Sequence, residues 1–188
     1  PCATSPEEVV TNGWSPSRRN YKTSNSGIVV ELKLQDFAKY SKFGSLAGMY
    51  LQKDIEQSSF NIAGRSQKVP AQRLNDFINN KKSTNIPKTS YFPGTESAMI
   101  ENLLPKFVSE NLKLGFNKFG QQMKGYLTNE AVIHAPESRT SSPVRIPRDK
   151  ITLQHPQIKG LFPCGEGAGY AGGIVSAAID GQKCAKMC

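Results

Sequence analysis

Hydrophobic and polar positions change their spacing several times along the chain. Residues 7–34 carry strand signals. Asn12-Gly13 tolerates positive φ and predicts a tight turn, and Pro16 to Ser26 is a polar loop. In GIVVELKL (residues 27–34), Ile28, Val30, Leu32 and Leu34 alternate with Val29, Glu31 and Lys33, which predicts a half-buried strand. Asp36 is placed to cap a short helical turn. From Ser45 to about Phe60 the spacing becomes helical, through Leu46, Met49, Tyr50 and Ile55.

Val69-Pro70-Ala71 opens a helix that carries Leu74, Phe77 and Ile78, and residues 79–95 form a polar loop broken by two prolines. The longest helical signal runs from Pro105 to Met123. Proline suits the first helical position, and Val108, Leu112, Phe116, Phe119 and Met123 recur at three or four as a core stripe. Gly115 and Gly120 weaken that helix by about 1 kcal/mol each against Ala. Short strands are expected at Ala131–Ile133, Val144–Ile146 and Ile151–Leu153. A last strand, Gly160–Cys164, runs into a glycine-rich turn and a helix that starts near Gly172 or Gly173. Its predicted buried stripe is Ile174, Val175, Ala178 and Ile179, and Ala177, Gly181 and Ala185 leave a small-residue face. The fold class is α+β.

A chain of 188 residues holds one domain or one and a half. No apolar run approaches the ~20 residues of a bilayer helix, so no membrane span is expected. The chain begins Pro-Cys-Ala with no basic-then-apolar leader, which points to a processed or excised chain in the cytoplasm. Its net charge is +9, from 24 basic and 15 acidic residues, but the basic residues occur singly or in pairs such as Arg18-Arg19 and Lys81-Lys82. A solvated basic surface is favoured, with nucleic acid or another polyanion as the alternative partner. None of the four cysteines (Cys2, Cys164, Cys184, Cys188) makes a C-x-x-C, and His134 and His155 lie far from the C-terminal pair, so no zinc site is expected. Cys184 and Cys188 share a helix face, but their i, i+4 spacing suits a disulfide poorly. Free thiols in a reducing compartment are expected.

The chemistry concentrates in the tail, KGLFPCGEGAGYAGGIVSAAIDGQKCAKMC. A glycine turn feeding a helix N-terminus offers unpaired amides and the positive end of a dipole, a platform for an anion or a cofactor. Gly167 to Gly172 spell G-x-G-x-x-G. The dinucleotide fingerprint also needs a second strand and an acidic residue ~20 positions on, and no such strand follows before Cys188. The motif therefore calls for another reading.

CGEGAGYAGGIVSAAIDG resembles the C-terminal flavin-contacting segment of FAD-dependent oxidoreductases with a glutathione-reductase-like FAD domain. Together with TSPEEVVTNGWSPS, NSGIVVEL, GFNKFGQQMKGY and ESRTSSPVRIPRD, it is similar to a bacterial family of uncharacterised FAD-dependent dehydrogenases. The resemblance implies that residues 1–150 are an inserted, substrate-side domain. Residues 151–188 would be the C-terminal remnant of the FAD-binding domain, one strand and one helix of an incomplete Rossmann-like fold. Gly165, Glu166 and Gly167 then match the Gly-acid turn, where the acid accepts a hydrogen bond from a ribityl hydroxyl. Gly172, Gly173 and Ile174 match the helix start facing the flavin pyrimidine end or a phosphate. RTSSPVR resembles the family's loop between the inserted domain and the returning chain, in which Ser142 or Arg145 would meet substrate or the isoalloxazine carbonyls, the alternative being a proline-stiffened linker with surface arginines.

The resemblance further implies that the cofactor is FAD, bound only in a longer parent, with NAD(P)H as a candidate electron donor. The partner is the N-terminal FAD-binding part of that parent, and a homodimer of the fragment is a second arrangement. The parent is expected to be an FAD-dependent oxidoreductase acting on an unidentified substrate, with the fragment alone inactive. No residue stands out as a catalytic acid or base, and flavin chemistry does not require one. Two other classes compete: a basic module that binds a polyanion without chemistry, and a structural domain for subunit contacts.

Overall fold

The computed structural model describes residues 5–188. Cys2 lies outside the described residues. The chain forms two compact units. One comprises the residues through Lys33 together with Lys53–Ser138; the other comprises Leu34–Gln52 with Arg139–Cys188. The division falls inside helix α1, Ala47–Ile62.

The first unit is built on a three-stranded mixed sheet of β1 (Val69–Arg73), β2 (Thr95–Ser97) and β3 (Val132–His134), in the order β2-β1-β3. β1 pairs in parallel with β2, Val69 opposite Thr95, and antiparallel with β3, Ala71 opposite His134. Helix α2 (Leu74–Ile78) follows β1 directly, and α3 spans Lys106–Gln122. Leu74 and Phe77 from α2 meet Ile100, Leu103, Ala135 and Phe116 of α3 in the buried core. The rings of Phe77 and Phe116 stand edge to face, 6.1 Å apart. α3 and its Phe116 stripe thus form as its spacing predicts, and so do α1 and the run at Ala131–Ile133.

The helix predicted from Val69 begins five residues later. Residues 69–73 are the central strand, because Val69, Pro70, Ala71 and Gln72 are all buried between two neighbours that bond to them. Pro70 is tolerated there. Its carbonyl accepts from Ala135 N–H at 3.1 Å on the β3 side, just past the end of that strand, where a missing N–H costs no ladder bond. Gln72 occupies the core as a polar residue with its amide fully used. It donates to the Lys81 carbonyl at 2.7 Å and accepts from Ile100 N–H at 2.9 Å.

The strands expected in residues 7–34 do not form. Val9 and Thr11 send their N–H groups to the Glu56 carbonyl (3.3 Å) and the Pro136 carbonyl (2.9 Å), so single anchors replace a ladder. The alternation in GIVVELKL holds as far as Lys33, but Leu34, expected on the inward side, is 90% exposed. Ile28, Val30 and Leu32 are half-buried while Val29, Glu31 and Lys33 are exposed. A strand requires a hydrogen-bonded neighbour, and no described residues pair with this segment. The turn predicted at Asn12-Gly13 falls instead at Pro16–Arg19, where Arg19 N–H reaches the Pro16 carbonyl at 2.9 Å. Asn25 Nδ2 holds the Trp14 carbonyl at 2.8 Å, on the far side of Gly13.

In the second unit a 3-10 helical run, Leu34–Leu46, kinks at Gly44 and leads into α1. The strands expected at Val144–Ile146 and Ile151–Leu153 are loop and turn. Asp149 Oδ1 accepts the Ile151 and Thr152 amides at 2.9 and 2.7 Å, which closes a turn where the apolar spacing suggested a strand. Those amide bonds, the Thr152 one foremost, hold the Asp149 carboxyl below its usual range. Helix α4, Ile174–Ala185, closes the chain. Among the described residues no helix is long and apolar enough to cross a membrane.

Candidate functional site

The glycine-rich turn ahead of α4 is held in shape from two directions. Gly165 and Gly169 both adopt left-handed φ, +71° and +83°. Between them Gly169 N–H bonds the Glu166 carbonyl at 2.9 Å, and Tyr170 N–H bonds the Gly165 carbonyl at 3.0 Å. A Cβ on Gly169 would stand 2.8 Å from the Val144 carbonyl oxygen, so this glycine answers both a backbone angle and a close approach.

Residues 142–148 support the turn. Ile146 N–H reaches the Ala168 carbonyl at 3.2 Å, and the Tyr170 hydroxyl donates to the Ile146 carbonyl at 2.8 Å. The Ser142 hydroxyl lies 3.1 Å from the Gly167 carbonyl and 2.8 Å from that of Val144, with one proton to share between them. The guanidinium groups of Arg145 and Arg148 lie over the Tyr170 ring, 4.4 and 3.6 Å from its centroid.

Beneath the turn is a polar cluster that periodicity does not reveal. Arg148 donates to both carboxylate oxygens of Asp180 (2.7 and 2.9 Å) and to the Pro163 carbonyl (2.8 Å). Asp180 also accepts the Gly165 N–H at 2.9 Å. The two side chains keep only 11% and 13% of their surface exposed. The Arg148 hydrogen bond, then the Gly165 amide, hold the Asp180 carboxyl at about 2, well below its usual range. The signal for this pair was available in the sequence. Asp180 is the lone acid in a helix of small and apolar residues, IVSAAIDGQKCA.

The expected strand at Gly160–Cys164 carries no ladder among the described residues. Leu161 bonds the backbone of Ile158 and His155 in a local turn, while Pro163 C=O is taken by Arg148 and the following Gly165 N–H by Asp180. The stripe expected to be buried on α4 is also corrected. Ile174, Val175 and Ile179 are 92%, 71% and 47% exposed, and Ala178 is exposed. The helix turns its Asp180 and Cys184 face inward, because a carboxylate paired with a guanidinium and a backbone amide draws that face onto the loop.

The residues singled out from the sequence differ in their surroundings: Gly165 is buried against Asp180, while Gly167, Gly172, Gly173 and Ile174 are exposed. Glu166 is exposed, and its carboxylate makes no hydrogen bond or ion pair among the described residues. Gly167 and Gly172 have open space where a Cβ would be. Gly173 is the N-cap of α4; its N–H is taken by Ser176 Oγ at 3.1 Å, and its carbonyl accepts Ala177 N–H at 2.8 Å. The amides of Ile174, Val175 and Ser176 therefore precede the first helical acceptor. Ser142 faces inward to the turn, whereas Arg145 stacks on Tyr170 and makes no hydrogen bond among the described residues. Among the described residues no group of three His, Cys, Asp or Glu side chains is disposed to hold a metal ion.

Comparison with known proteins adds two findings. A family model described as "FAD-dependent protein, C-terminal domain-like" matches residues 1–140. An uncharacterized protein of Clostridium beijerinckii is 39% identical over 180 residues, which cover 95% of this chain and 33% of that protein. The chain thus spans about a third of the length of this curated relative.

Proposed function

The chain belongs to the FAD-dependent protein, C-terminal domain-like family, and from that premise we propose that it forms the C-terminal part of an FAD-dependent oxidoreductase. Residues 1–150 are its inserted, substrate-side domain, and residues 151–188 complete the FAD-binding domain. The partner that supplies the rest of the FAD site is the N-terminal part of the same parent. When bound, the flavin supplies the hydride or electron transfer. The comparisons lend no support to a nicotinamide donor.

The residues of the turn fit such a group. The observation that carries the reading is the free Glu166 carboxylate at the head of a turn whose other side is locked by Asp180 and Arg148. A carboxylate is a strong acceptor for a ribityl hydroxyl. Gly165 and Gly167 let the backbone come close, and the amides at Gly172, Gly173 and Ile174 turn the positive end of α4 toward a carbonyl or phosphate. Arg145 is placed to reach the isoalloxazine carbonyls, and Ser142 keeps the Gly167 peptide in place. The Arg148–Asp180 pair does not touch the cofactor. It positions Gly165, and through it Glu166.

The test is the absorbance spectrum of the full-length parent, with mass analysis of any released cofactor. A flavin spectrum in the wild type that falls at least ~10-fold in occupancy with Glu166→Ala supports the assignment. A colourless parent that cannot be loaded with FAD would overturn it.

A further inference from the structure

Pro163–Gly165 runs along the face of α4 that carries Asp180 and Cys184, residues one helical turn apart. The Gly165 N–H is fixed on Asp180 at 2.9 Å, and the Pro163 carbonyl lies 4.0 Å from Cys184 Sγ. Both peptide groups flanking Cys164 are therefore held against the helix. Cys164 is thus anchored on both sides to the helix face that carries Cys184. The two sulfurs differ in access, because Cys164 is exposed and Cys184 is only 3% exposed. Arg148 Nη1 stands 3.2 Å from Cys184 Sγ. Burial pushes the Cys184 thiol up, and the guanidinium opposes that shift.

We propose that Cys164 and Cys184 are a reversible dithiol–disulfide pair, closed by a hydroperoxide, that staples the entry of the glycine turn to α4. The exposed Cys164 thiolate attacks the peroxide. An S–O bond forms, the O–O bond breaks, and the departing oxygen leaves as water or alcohol with the thiol proton. Cys184 Sγ then attacks the Cys164 sulfenic acid. The S–S bond forms, the S–O bond breaks, and the hydroxyl leaves as water with the Cys184 proton. Two thiols lose two electrons and two protons, and one hydroperoxide is reduced to an alcohol (or water) and water. A dithiol reductant reverses the bond.

Cys188 is the other candidate partner for Cys184, and the structure disfavours it. Its Sγ lies 3.4 Å from the Cys184 carbonyl, a backbone contact, and Cys188 lies beyond the end of α4 at Ala185, so the helix face expected to carry both thiols carries only Cys184. The Cys164–Cys184 pair stands independently of any flavin contact at the turn.

The experiment treats the full chain with hydrogen peroxide, alkylates the remaining thiols, and maps the peptides without reduction. The expected result is the loss of two free thiols within a monomer, with Cys164 linked to Cys184. Dithiothreitol should restore the thiols. Cys164→Ser should abolish the link, and Cys188→Ser should leave it. Cys164 is the residue to change because it is exposed, and circular dichroism of the variant checks its fold. A Cys184–Cys188 link, a link through Cys2, or Cys164 oxidised in the wild type without any disulfide would each overturn the proposal.

Discussion

Arg148 and Asp180 meet through two parallel contacts, Nη2 to Oδ1 at 2.7 Å and Nη1 to Oδ2 at 2.9 Å. The two residues are 32 positions apart, so this ion pair ties the loop after Pro147 to the last helix. Because Asp180 also accepts the Gly165 amide, one carboxylate fixes the helix, the loop and the head of the glycine turn together. A geometry with two points of contact and little exposed surface makes the pair costly to break from one side.

The pH dependence follows from the low Asp180 pKa of about 2. In the unfolded chain the same group binds its proton near 3.9, so the folded state holds fewer protons between those values. Its contribution is complete above about pH 5 and is lost as pH falls through about 2. Asp180→Asn should lower stability at neutral pH by about 3 kcal/mol and flatten the acid limb. Urea midpoints measured from pH 7 to pH 2 check both. An unchanged acid limb in the variant would remove Asp180 from this role.

Gly169→Ala should cost about 2–3 kcal/mol, since the new Cβ meets the Val144 carbonyl in a backbone conformation that alanine avoids. Gly167→Ala faces open space and should change stability by no more than about 0.5 kcal/mol. The same Gly167 change should lower flavin occupancy in the full-length protein, because the open side of the turn is where the cofactor is proposed to lie. Thermal unfolding and flavin absorbance of the two variants separate folding from binding.

Two glycines that look alike in the sequence of α3 should respond in opposite directions. A Cβ at Gly115 meets nothing, so Gly115→Ala should gain about 1 kcal/mol from helix propensity. A Cβ at Gly120 would stand 2.5 Å from Leu127 Cγ and Cδ1, so Gly120→Ala should destabilise despite the same propensity gain. Denaturant unfolding of both single variants gives the comparison directly.

Periodicity in the sequence was enough to specify α1, α3, the strand at Val132 and the helix that follows the glycine turn. Each is a local pattern: a 3.6-residue stripe, a short apolar run, or a glycine-rich stretch before small residues. The in-and-out alternation of Ile28, Val30 and Leu32 was legible for the same reason. The residues that match the family, 1–140, hold the short motifs TSPEEVVTNGWSPS, NSGIVVEL and GFNKFGQQMKGY. Tertiary structure alone decided which extended segments became strands. Strand status depends on a neighbour, and among the described residues only Val69–Arg73 is flanked by two of them. It also decided which face of α4 is inward. Hydrophobicity favoured Ile174, Val175 and Ile179, but a guanidinium 32 residues away and the Gly165 amide drew Asp180 inward instead. No local period encodes a contact of that length, because its energy exists only once the two segments meet.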